Sequence, residues 1–160
     1  MIVIADTSSI ISLALIDKLN LLTIFGEVYI PYAVWDELNN ERFIENSIAI
    51  KNFFKNKVKK ISSYNNLLLI MDYGESEGIY LYKELNADYL IIDDKKSRAI
   101  AEELNINCIG TIGILIRAKQ KGLIKKLRPI FEILLKKKRY YSKLLLNDIL
   151  KEFNERLLDL

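Results

Sequence analysis

The chain has 160 residues and a formal net charge of +3, with 51% hydrophobic and 28% charged residues, one Cys and no His. That length suits one domain around a single sizeable core, and the composition excludes a disordered, collagenous or low-complexity chain. Without His there is no Ser-His-Asp or Cys-His triad, no imidazole base and no His-ligated zinc or haem iron, and the lone Cys108 makes neither an internal disulfide nor a zinc cluster, which fits a reducing cytoplasm.

In chain order, Ile2 to Ala5 is a short apolar run ended by Asp6, which predicts a strand, and Ser8 to Ile16 carries a helical apolar pattern that begins with capping residues. Glu27 to Ile30 predicts a second strand, before a helix opened by Pro31. The stretch from Asn39 to Tyr73 is the least regular, with one helix predicted over Ile48 to Asn56. A helix fits Glu75 to Leu85, a strand Asp88 to Ile92, a helix Lys95 to Leu104, a strand Ile106 to Ile109 and a helix Thr111 to Lys121. Lys125 to Lys137 and Tyr140 to Leu158 read as helices that close the chain.

Strand and helix alternate four times, and near-continuous apolar strands between helices mark a parallel sheet buried on both faces. The predicted fold is α/β, a three-layer α/β/α arrangement around a central parallel sheet. Residues 1–125 are expected to form the chemical domain, with 126–160 a helical extension packed on it. No stretch approaches the roughly 20 apolar residues of a membrane span, and the N-terminus lacks the basic start of a signal peptide, so the expected location is the cytoplasm with no membrane partner. Charge is uneven: Arg117 to Lys143 holds eleven Lys and Arg against one acid, Glu132. An anionic partner and a solvated helical surface both account for that flank.

Ligand sites of open parallel sheets lie outside the carboxyl ends of the strands. Asp6 closes the first strand and Asp93 the third; each is a candidate functional acid or a helix cap or turn residue. Helical phase at about 100° per residue selects two more. Glu75 falls inside the apolar face formed by Ile79, Leu81, Tyr82 and Leu85, whereas Glu77 falls beside Glu84 toward the polar edge. Glu37 sits closer to Ala33 and Val34 than Asp36 does, as an inward acid or a partly exposed one. Four inward acids with no evident Lys or Arg among them would repel by up to roughly 4 kcal/mol per pair at 4 Å and an effective dielectric near 20. A divalent cation removes that conflict, and all-oxygen ligation points to Mg²⁺ or Mn²⁺ and to phosphate-ester chemistry.

The segments ADTSSIISL, VWDEL, DYGESEGIYL, ADYLIIDDKKSRAIAEELNI and IGTIGIL, in that order over residues 1–122, resemble a prokaryotic PIN domain, of a subgroup of unknown function. The resemblance implies a metal-dependent endoribonuclease in the style of the toxins of toxin-antitoxin pairs, with a catalytic quartet of Asp6, Glu37, Glu75 and Asp93. Asp6, Glu75 and Asp93 would hold Mg²⁺ or Mn²⁺, directly or through water. It also implies RNA as substrate, a protein antitoxin as partner and a homodimer. Thr7 or Ser8 after the first acid, and Thr111 after the last strand, would support the site or cap the helices they precede. Asp94 would substitute for Asp93 or cap the helix that begins KKSRA. Where some members carry a further acid this chain has Lys96, which argues against a tightly held second metal. Lys95, Lys96 and Arg98 would touch phosphate or lie on a solvated helix face. The aromatics Phe53, Phe54, Tyr140 and Tyr141 would stack on bases or pack the core. The alternative function is a non-catalytic PIN-like module that binds nucleic acid or protein.

Overall fold

The computed structural model describes residues 1–40, 45–137, 139 and 141–159. Lys138 and Tyr140, which belong to the basic flank read from the sequence, lie outside the described residues. Strand β1 (Ile2–Ala5) leads into helix α1 (Thr7–Leu15), then a 3₁₀ stretch (Leu19–Phe25), β2 (Glu27–Pro31) and α2 (Tyr32–Asn40). The irregular region contains α3 (Ser47–Phe54), a two-residue strand β3 (Val58–Lys59) and a short 3₁₀ turn, before α4 (Tyr73–Glu84). There follow β4 (Tyr89–Ile91), α5 (Lys95–Glu103), β5 (Cys108–Ile109), α6 (Thr111–Gln120), α7 (Arg128–Lys136) and α8 (Lys143–Glu152). Pro31 ends β2 instead of opening α2. The final helix is shorter than its hydrophobic pattern suggests, because Asn154 turns left-handed (φ 55°) directly after it. Asp17, Asn86 and Asn105 do the same after α1, α4 and α5, a conformation that Asn and Asp adopt more readily than other side-chain-bearing residues.

All five strands are parallel, in the order β3-β2-β1-β4-β5. Their period-two alternation feeds two apolar clusters. Val3, Ala5 and Ile91 point into one, together with Ile10, Leu13, Phe54, Ile114 and Phe131; Ile4, Leu90 and Ile92 point into the other, with Ile79, Leu81 and Ala101. Helices therefore cover both faces, which makes the fold a three-layer α/β/α sandwich. Phe53 meets Phe54 edge to face at 4.8 Å, so both belong to the packing of the first cluster and not to a base-stacking surface. The chain runs outward from β1 to β2 and β3, then returns to β4 on the other side. The crevice at the carboxyl ends of β1 and β4 is the topological switch point of the sheet.

Helices α7 and α8 share the first cluster with the strands through Ile130, Phe131, Leu134, Leu146, Ile149 and Leu150. The tail is pinned electrostatically as well. Glu155, 7% exposed, accepts hydrogen bonds from the backbone N–H groups of Leu127 (2.8 Å) and Arg128 (3.1 Å) at the start of α7, and from Lys119 at 3.3 Å. Burial raises its pKa, but those N–H groups and Lys119 outweigh burial and hold it below the ordinary value of 4.5. Its contribution to stability is therefore complete above that value and lost as pH falls through the lower folded one. Glu155→Ala should cost about 1–3 kcal/mol in denaturant unfolding at neutral pH, by orphaning two buried donors, and the gap from wild type should close in acid.

Candidate functional site

Asp6 lies at the switch point because β1 ends there, its own N–H bonded to the Ile91 carbonyl of β4 at 3.1 Å. Its carboxylate accepts from Ser9 N at 2.9 Å, so it also caps α1. It is 5% exposed; burial first, and then the nearby charge of Asp93, push its pKa up to about 7 against the hydrogen bonds that oppose the shift. Asp93, just beyond β4, is saturated. Its Oδ1 accepts from Thr111 N (2.7 Å), and its Oδ2 from Thr111 Oγ1 (2.7 Å) and the Tyr141 hydroxyl (3.0 Å). Thr111 therefore does not cap its own helix through its side chain. Burial, with the Asp93 charge beside it, pushes the Tyr141 phenol up to about 12.

Glu37, on α2, is held by the Thr7 hydroxyl (2.6 Å) and by Gly74 N (3.0 Å). Thr7 thus serves Glu37, and the capping of α1 belongs to Asp6. Two glycines make close approach possible: a Cβ on Gly74 would lie 2.5 Å from Glu37 Oε1, and one on Gly110 would lie 2.9 Å from Asp93 Oδ1. Glu75, on the first turn of α4, accepts from the Ser97 hydroxyl at 2.5 Å. Burial, followed by the charges of Asp94, Asp72 and Glu37, raises its pKa despite the Ser97 bond. Asp94 caps α5 through Ser97 N at 2.8 Å.

Asp6, Glu37 and Glu75 line one cleft of about 450 Å³, together with Thr7, Ser8 and Asp72. Asp93 is absent from that lining, although its charge lies near enough to Asp6 to raise its pKa. Asp72, which precedes α4 without capping it through its side chain, was not singled out in the sequence. The reading of Glu77 as a polar-edge residue needs correction. Glu77 is 5% exposed and accepts from Ala33 N at 3.0 Å, because that side of α4 faces the N-terminus of α2. A second cavity of about 760 Å³ shares Asp72 and Glu75 with the cleft and is walled by Leu68 to Met71 opposite Asp94, Lys96 and Ser97. Arg98 is turned toward Glu102 (2.9 Å) on its own helix.

Arg139 also reaches the cleft. Its Nε donates to Ser12 Oγ (2.9 Å), and its Nη2 to Ser8 Oγ (2.7 Å) and the Ser8 carbonyl (3.1 Å). The acids therefore do have an arginine near them, delivered by the tail. Much of the basic flank is similarly engaged: Arg117 stacks over Phe25 and Tyr89, Lys119 pairs with Glu155, Arg128 with Glu132, and Lys137 with Glu45. Tyr141 packs on the core and bonds Asp93 and Ser12, which removes it from base stacking.

A family model described as a PIN domain, of a family of unknown function, matches residues 2–155. No curated protein matches the chain. Among the described residues no helix is long and apolar enough to cross a membrane.

The donor chemistry of the cleft fits a hard divalent cation: every candidate ligand is a carboxylate oxygen, and the buried Asp6 has a like charge beside it. Among the described residues no three His, Cys, Asp or Glu form a ready metal-holding group. Mg²⁺ takes one or two carboxylates plus water, and the carboxylates that this cleft offers are those of Asp6, Glu37, Asp72 and Glu75.

The raised pKa of Asp6 has a definite sign. Between 3.8 and about 7 the folded protein holds a proton that the unfolded chain releases, so this group lowers stability as pH rises through that window. Asp6→Asn should unfold like wild type near pH 4 and be more stable above about pH 7, by at most about 4 kcal/mol, in metal-free denaturant titrations. Equal or lower stability at the higher pH would show that the protein's own groups already compensate this carboxylate, which is then structural.

Proposed function

The chain belongs to the PIN-domain family, and on that premise we propose that it is an endoribonuclease that hydrolyses RNA phosphodiester bonds with Mg²⁺ or Mn²⁺. The observation that carries the proposal is Asp6, a buried carboxylate at the switch point that shares its cleft with Glu37 and Glu75 and feels the charge of Asp93. Asp6 and Glu75 are the proposed holders of the cation, with Asp93 acting directly or through water. Held by these residues, a divalent cation would supply a more acidic water and offset charge on the phosphoryl oxygens.

The chain's own groups supply the rest. Thr7 and Gly74 N fix Glu37, which completes the negative pocket; Ser97 orients Glu75; Thr111 and Tyr141 orient Asp93. Water is the nucleophile and no covalent intermediate is required. By family resemblance the proposal extends to a toxin of a toxin-antitoxin pair, acting as a cytoplasmic homodimer, with residues 126–160 an extension of the nuclease domain. A second reading, a non-catalytic module that binds RNA or protein, draws on the saturation of Asp93 and the absence of a three-acid group among the described residues.

Incubating the protein with single-stranded RNA and DNA, with Mg²⁺, Mn²⁺ or EDTA, separates the two readings. The expected result is RNA cleavage with either metal, none in EDTA and none by Asp6→Asn. Products with 5′-phosphate and 3′-hydroxyl ends would identify water, and not the ribose 2′-hydroxyl, as nucleophile. Retained RNA binding without metal-dependent cleavage would select the second reading. Gly74→Ala, whose added Cβ must displace Glu37, should lower kcat by about 10- to 100-fold while the protein melts as a folded domain.

A further inference from the structure

We propose that Arg139 binds a phosphate of the RNA in the acidic cleft, an inference that rests on the nuclease reading above. A cleft lined by Asp6, Glu37, Asp72 and Glu75 repels a polyanion, and Arg139 is the one cationic side chain among the described residues that line it. Among the described residues no carboxylate takes up its charge. The guanidinium rests on neutral oxygens, Ser8 Oγ, the Ser8 carbonyl and Ser12 Oγ, and no ion pair among the described residues includes it. Those three bonds use Nε and Nη2, and Nη1 lies outside them, so part of the planar donor fork stays available to a phosphate oxygen.

The cation is also held in place. Its anchors Ser8 and Ser12 lie on α1, immediately after Asp6; its own N–H bonds Leu134 O at 2.9 Å; and Tyr141, two residues on, is tied to Asp93 and Ser12. A group fixed at both ends meets its ligand with little further loss of side-chain entropy.

The test is binding of a short fluorescent single-stranded RNA in EDTA, measured over a range of salt concentrations with wild type, Arg139→Gln, Arg139→Met and Arg139→Lys, alongside metal-dependent cleavage by wild type. Phosphate binding predicts that both neutral variants lose about ten-fold in affinity and about 0.7 in the slope of log K against log salt, while Arg139→Lys keeps the slope. A purely scaffolding arginine predicts the reverse for lysine, which cannot reproduce the fork onto Ser8 and Ser12 and would behave like the neutral variants. Neutral variants with the wild-type slope, or a lysine variant that loses it, overturn the proposal and leave the nuclease reading standing if wild type still cleaves. Wild-type protein that neither binds RNA in EDTA nor cleaves it with metal overturns both.

Discussion

Two like charges held against each other at the end of a parallel sheet organise this molecule. Asp6 and Asp93 are brought together by the pairing of β1 with β4, whose register is part of the core and cannot be relaxed without moving Ile4, Leu90 and Ile91 out of their clusters. The repulsion is distributed unequally. Asp93 is surrounded by donors from Thr111 and Tyr141, whereas the Asp6 carboxylate is held by the backbone N–H of Ser9 and carries the raised pKa. One carboxylate is held by three donors and the other is poised, a division set by environment alone.

Around that pair the structure places small, specific devices instead of bulk. Gly74 and Gly110 remove the Cβ atoms that would obstruct Glu37 and Asp93, and Thr7, Ser97 and Thr111 each give a hydroxyl to one of the three acids other than Asp6. These hydroxyls stand directly behind the candidate ligands, the position from which neighbours usually set the orientation of a metal-binding group.

The legible part of the site was the part encoded locally. Asp6 and Asp93 end apolar runs, and Glu37 and Glu75 differ from Asp36 and Glu77 by helical phase, a property of a few consecutive residues. Phase failed for Glu77 because it assumes one buried face, whereas α4 is covered by the sheet on one side and by α2 on another. Arg139 and Tyr141 were not legible as site residues, since they reach Ser8, Ser12 and Asp93 across 131, 129 and 48 positions and no local periodicity encodes such contacts. The architecture followed from the alternation of strand and helix, but the two-residue β3 is too short for any pattern, and α8 stopped early on a single left-handed Asn.

The chain order of these groups has a consequence for biosynthesis. All four acids lie in the first 93 residues, while the arginine and tyrosine that fasten the cleft come at 139 and 141. At roughly 5 to 20 residues per second, translation delivers the acids a few seconds before their fasteners. A ribosome that stalls or terminates in that interval releases a chain with every acid and no strap, so Tyr141 is missing from Asp93 and the guanidinium from α1. The cleft is thus completed only after residue 141 has been made, which ties its assembly to the integrity of the message up to that point.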